Sequence, residues 1–104
     1  MERYAPSKAQ QRLEAGEACL LDVREPSELA LASIEGAIHI PLAQIPQAVE
    51  QLPRDQEIIV LCHHGVRSAM AADFLERNGF ESVSNLEGGI DAWSREVDSE
   101  IPRY

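Results

Sequence analysis

The sequence predicts an α/β domain, with a mostly parallel central sheet of about five strands flanked by helices on both faces. Three observations lead there. Short apolar runs rich in β-branched residues alternate with stretches whose apolar residues recur at helical spacing, the signature of strand–helix–strand units. The runs are short and nearly unbroken, as strands covered on both faces are. Two of them, ACLLDV and EIIVL, close on or beside a residue that chemistry can use, Asp22 in the first case and Cys62 in the second.

Taken in order, the elements are these. Ser7 is placed to cap a short helix from about Lys8 to Ala15, ended by Gly16. Residues 18–23 read as a buried strand, and Pro26 suits the first turn of a helix running to about Ala32. Residues 37–40 form a brief strand stopped by Pro41. Ile45, Val49 and Leu52 share one helical face, so 42–52 reads as helix with Pro46 in its early turns. Residues 57–61 are the clearest strand. From Ser68 to Asn78, Met70, Ala71, Phe74 and Leu75 fall on one face, with Asp73, Glu76 and Arg77 turned away. Gly79 supplies the stop and Phe80 folds back onto the last turn. Residues 82–86 are another strand, and Gly88-Gly89 precedes a last helix through Ile90 and Trp93.

The bulk properties narrow the function classes. At 104 residues the chain reads as one domain, 1–104, large enough for a core without staples. Hydrophobic residues make up 44%, as in an ordinary globular protein. Nine basic residues against 18 acidic ones give a net charge of −9, which disfavours nucleic acid and anionic membranes as partners. No stretch approaches the roughly 18–20 apolar residues of a membrane span. MERYAPSKAQ has no apolar run after its charges, so the expectation is a cytoplasmic protein without a secretory leader. Two cysteines are too few for a disulfide framework and point to a reducing compartment.

In parallel sheets ligands sit outside the carboxyl ends of the strands, and Asp22 and Cys62 both point to that rim. After Cys62 come His63, His64, Gly65, Val66, Arg67 and Ser68, and then the helical pattern. Such a turn aims successive N–H groups and a helix N-terminus at the sulfur, and that potential favours the reactive thiolate. Gly65 permits the dihedral a tight cradle needs. Arg67 adds a planar cation suited to an oxyanion, and Ser68 is placed to cap the helix or donate into the loop. Cys19, inside an apolar run without glycine or cation, reads as core. Cys62, His63 and His64 are zinc-ligand types. Adjacent residues rarely converge on one ion, however, and no second ligand pair follows at metal-site spacing, so no metal is expected. The histidines read instead as loop-lining groups that titrate near neutral pH and lend positive potential.

CHHGVRS resembles the active-site loop of the rhodanese homology domain, the single-domain thiosulfate sulfurtransferase family. LLDVREPSEL (20–29), IEGAIHIPL (34–42) and ERNGFESVSNLEGGIDAW (76–93) are similar to further segments of that family, in family order, and together the matches span 20–93. Two departures are visible: Ala32-Ser33 stands where the family usually has Gly-His, and His39 stands at a position usually held by asparagine. The resemblance implies that Cys62 takes up a sulfane sulfur as a persulfide and passes it on by a ping-pong cycle. Amides from His63 to Ser68 would stabilise the persulfide, and Arg67 would steady the anionic donor or the loop. Asp22 and Arg24 would support the loop through hydrogen bonds and ion pairing. The expected donor is a small sulfur-containing anion such as thiosulfate, or a persulfide. The expected acceptor is cyanide, a thiol or a sulfur-carrier protein. No cofactor is implied beyond the covalent persulfide.

Two rival readings follow. Relatives of this fold carry a phosphatase or arsenate reductase loop, but their cysteine-to-arginine spacing is one residue longer and would put Ser68 where the anion-clamping cation belongs. Other rhodanese-like domains lack the cysteine and serve as binding or regulatory modules, whereas this chain retains Cys62 in a full loop.

Overall fold

The computed structural model describes residues 1–104 and has five parallel strands: β1 (Glu2–Tyr4), β2 (Ala18–Asp22), β3 (Ile38–His39), β4 (Glu57–Leu61) and β5 (Val83–Leu86). Their spatial order is β1-β5-β4-β2-β3, so β4 and β2 lie side by side at the centre. From β2 the chain runs outward to β3 and from β4 outward to β5 on the opposite side, with the N-terminal β1 added beyond β5. The boundary between β2 and β4 is thus the sheet's switch point, where α/β domains open a crevice.

Side-chain alternation along β4 divides the core in two. Ile58, Val60 and Cys62 point to one face and pack with Leu21, Val23, Ile45, Ala71, Ala72 and Leu75. Ile59 and Leu61 point to the other, with Leu20, Leu86, Ile90 and Trp93. Helices α1 (Pro6–Glu14) and α5 (Gly89–Glu96) cover the second face, and α4 (Val66–Arg77) with the 42–51 segment covers the first. None of these helices is long and apolar enough to cross a membrane.

Several elements differ from expectation. β1 was not anticipated, because MERY carries two charges and no apolar alternation. It forms because Tyr4 is buried beside β5 and donates its hydroxyl to the Glu57 carboxylate at 2.7 Å. The first helix starts at Pro6 with Ala5 outside it, so Ser7 is not its cap. α2 (Pro26–Leu29) is shorter than expected, since Arg24 draws on the carbonyls of Glu28 and Ala32 at 3.5 and 2.9 Å.

The single helix expected over 42–52 is broken into a 3₁₀ turn (Leu42–Gln44), α3 (Ile45–Ala48) and a second 3₁₀ turn (Val49–Gln51). Pro46 has no N–H to bond back a full turn, so the preceding segment tightens and Ile45 donates to Leu42 instead. On α4 the packed stripe is Ser68, Ala71, Ala72 and Leu75, and Met70 is exposed rather than packed. Cys19 is half-buried against the core, where burial pushes its thiol pKa up. Phe80 does fold back, donating its N–H to Leu75.

Candidate active site

Cys62 follows β4 directly, with its side chain on the α4 side of the sheet. The chain then reverses through His63, His64 and Gly65 and enters α4 at Val66. Gly65 makes this possible at φ +110°, a conformation costly for residues with a Cβ. Its N–H donates to the Cys62 sulfur at 3.0 Å. Of the amides from His63 to Ser68 this is the one that bonds the thiol sulfur itself; the other hydrogen bond to that sulfur involves the Ser68 hydroxyl, at 3.3 Å. Ser68 therefore serves the loop and does not cap the helix.

Asn85 on β5 completes this arrangement, and its only mark in the sequence is that of a polar residue in a buried strand. Its amide donates to the Gly65 carbonyl at 3.1 Å, and its side-chain oxygen lies 2.5 Å from the Ser68 oxygen. Ser68 has one proton to share. With a thiol, S–H donates to Ser68 and Ser68 donates to Asn85. With negative charge on the sulfur, the hydroxyl proton turns to it, joining the Gly65 amide. Gly88 and Gly89 fix the loop from outside, because the first amides of α5 reach back to it. Ile90 donates to the Cys62 carbonyl at 2.8 Å and Asp91 to that of His63 at 3.2 Å. A Cβ on Gly89 would overlap both carbonyls.

Arg67 does not touch the sulfur. Its guanidinium grips Glu28 of α2 in a two-pronged ion pair at 2.7 and 2.8 Å. Those bonds, together with the Glu25 amide, hold the Glu28 carboxyl at a pKa of about 2. Asp22 and Arg24 are fully buried and pair with each other at 2.6 Å, and the Arg24 N–H also donates to Asp22. Their support of the loop runs through α2: Arg24 Nη1 reaches the Glu28 carbonyl, and Glu28 holds Arg67. His39 donates to the Arg24 carbonyl at 2.7 Å. At Ala32 it is the main-chain oxygen that receives Arg24, so the departure Ala32-Ser33 leaves this contact intact.

His63 donates from Nε2 to the Tyr104 main-chain oxygen at 2.7 Å, and its ring stacks on both His64 and Tyr104 at 3.8 Å. Among candidate metal ligands, His63, His64 and Asp91 lie with their ligand atoms within 4.8 Å of one another. The Asp91 carboxylate is already bonded by Arg103 through both oxygens and faces Arg95, which holds its pKa low. Val66 is exposed at the start of α4, beside the loop.

As a thiolate the sulfur can attack an electron-poor atom, with its charge held on two fixed donors, the Gly65 amide and the Ser68 hydroxyl. That is the chemistry of a nucleophilic-cysteine domain whose thiol closes a central parallel strand. The chain belongs to the rhodanese-like domain family, whose model matches residues 5–96. It is 39% identical over 84% of its length to thiosulfate sulfurtransferase GlpE of Vibrio cholerae, of which the match covers 82%. It is 42% identical over 94% of its length to the chloroplastic rhodanese-like/PpiC domain-containing protein 12 of Arabidopsis thaliana, but spans only 34% of that longer protein. A rhodanese-related protein from Thermoplasma volcanium superposes with a TM-score of 0.85 at 34% identity, covering 93% of this chain and 94% of that one. The likeness to GlpE, and 35% identity over 86% of the chain to a sulfurtransferase of Allochromatium vinosum, support sulfurtransferase activity in general.

Proposed function

We propose that this protein is a sulfurtransferase that carries a sulfane sulfur on Cys62, taken from thiosulfate or a persulfide and given to cyanide or a thiol. The observation that carries this reading is the pair of donors converging on the Cys62 sulfur, the Gly65 amide and the Ser68 hydroxyl. They favour negative charge on that sulfur, the thiolate form that attacks the donor.

In the first half-reaction the Cys62 thiolate attacks the outer sulfur of thiosulfate. The new S–S bond forms as the old one breaks, and its electron pair leaves with sulfite. The persulfide keeps one negative charge, carried on its outer sulfur beyond Cys62 Sγ. In the second half-reaction cyanide or a thiolate attacks the outer sulfur, leaving as thiocyanate or a new persulfide while Cys62 regains its thiolate. The persulfide is itself the carrier, so the cycle calls for no metal or organic cofactor. Cys62 is only 1% exposed, so the donor's outer sulfur must enter the loop to reach it.

The phosphatase alternative gains nothing from this geometry. Arg67 lies one residue earlier than a phosphate-encircling loop needs, and its guanidinium is paired with Glu28. Incubation with thiosulfate should raise the intact mass by one sulfur atom, and Cys62→Ser should stay unchanged. Cyanide should then release thiocyanate, and an aryl phosphate should remain unhydrolysed. If both proteins keep their mass, Cys62 is not a sulfur carrier and the binding-module reading prevails.

A further inference from the structure

We propose that Tyr104 is a positioning residue for Arg67, acting through Glu28, and that residues 101–104 form a strap fastening this contact to the cysteine loop. The proposal rests on the sulfur-transfer reading only for the substrate that Arg67 meets.

The Tyr104 hydroxyl sits between two charges. Arg24 Nη1 can only donate, and does so to it at 2.9 Å; the ionised Glu28 can only accept, and takes its proton at 2.9 Å. The direction of both bonds is therefore fixed. The Glu28 oxygen that Tyr104 meets also receives Arg67 Nη2, and its other oxygen receives Arg67 Nη1 and the Glu25 amide. Every acceptor direction on Glu28 is taken, so the carboxylate cannot rotate without breaking a bond to Arg67.

Asp22, Arg24, Tyr104, Glu28 and Arg67 thus form one unbroken series, from a fully buried ion pair to a cation at the loop. The phenol is the only member without a formal charge and the only one outside the segments singled out in the sequence. Three further contacts hold it there. Its ring lies 6° from parallel to that of His63, its main-chain oxygen takes the His63 N–H, and the neighbouring Arg103 pairs with Asp91 on α5. Ser94 of α5 donates to the Ile101 carbonyl at 2.5 Å, so the strap is pinned at both ends.

Tyr104→Phe in the full chain tests this, because phenylalanine keeps the ring on His63 and removes only the hydroxyl. Solvent exchange of the Arg67 Nη protons, followed by NMR, should accelerate about fivefold. The KM for thiosulfate should rise by about the same factor while kcat changes less than about twofold, since a misplaced cation weakens donor binding before it weakens sulfur transfer. Alkylation of Cys62 by neutral iodoacetamide should keep its rate. Unchanged Nη exchange overturns the proposal whatever turnover does, and so does an unmoved KM in an enzyme that transfers sulfur. If the unaltered protein takes no sulfur from thiosulfate, the sulfur-transfer reading fails, and Nη exchange alone still decides the role of Tyr104.

Discussion

Ser68 carries more chemistry than its size suggests. It is fully buried, it has a single proton, and two acceptors compete for that proton according to the charge on the sulfur. Ser68→Ala removes one of the two donors available to the Cys62 sulfur and leaves Asn85 with an unmatched oxygen. The expected result is about a tenfold loss in kcat/KM for thiosulfate, with the persulfide still detectable by mass but shorter-lived. A variant as active as the parent would show that the Gly65 amide alone suffices. At this scale the turn after Cys62 was readable from its glycine, but the helix starts at Val66 rather than at the expected Ser68, so Val66, Arg67 and Ser68 belong to α4. The partners were not readable. Asn85 and Tyr104 stand far from the loop in sequence, and nothing local marks a polar residue in a strand or a tyrosine beyond the last helix as part of a site. Glu28 was hidden differently: it reads as an ordinary first-turn acid, and it does bond the Glu25 amide, while also holding Arg67.

Among the elements, α5 does the most to shape the loop, although it contributes no side chain to the sulfur. Its Ile90 and Asp91 amides, in the first turn, hold the carbonyls of Cys62 and His63, so the helix start and the loop are tied together. Gly89 lies at the junction with φ +60° and no room for a methyl group. Gly89→Ala should therefore lower Tm by several degrees and cut sulfur transfer at least tenfold, as the loop carbonyls shift from their amides. Differential scanning calorimetry together with a thiocyanate assay would check this, and retention of full activity would mean the loop is not held from α5. The central strands and α4 were legible because their apolar runs are long enough to impose a period. The 42–51 segment misled because its face pattern is real while Pro46 breaks the hydrogen-bond ladder beneath it. Met70 misled for a simpler reason: Ala71 and Ala72, small and adjacent, define the packed stripe, and the larger side chain falls outside it.

For the whole molecule, acid should be the sensitive direction. The Glu28 carboxyl lies at about 2 rather than its ordinary 4.5, mainly through the bonds from Arg67. A lowered carboxylate pKa means stability that is complete above pH 4.5 and is lost as pH falls through about 2. The full shift would correspond to at most about 3 kcal/mol, and screening at the partly exposed Arg67 reduces this to about 1–2. Glu57 shifts the same way: burial alone would raise its pKa, but Ser84, Tyr4 and Arg12 together overcome that. Urea unfolding between pH 5 and pH 2 (about the window these shifts define) should show stability falling, and Glu28→Gln should flatten the curve. A parallel fall in the variant would place the acid sensitivity elsewhere.

β1 has a role separate from any of this. With only Glu2, Arg3 and Tyr4 it lies along β5 and satisfies an edge that would otherwise present unpaired main-chain groups. Such an edge invites the strand of a neighbouring molecule to add itself, the first step towards open-ended aggregates. A strand so short and so charged can shield β5 while offering little purchase of its own.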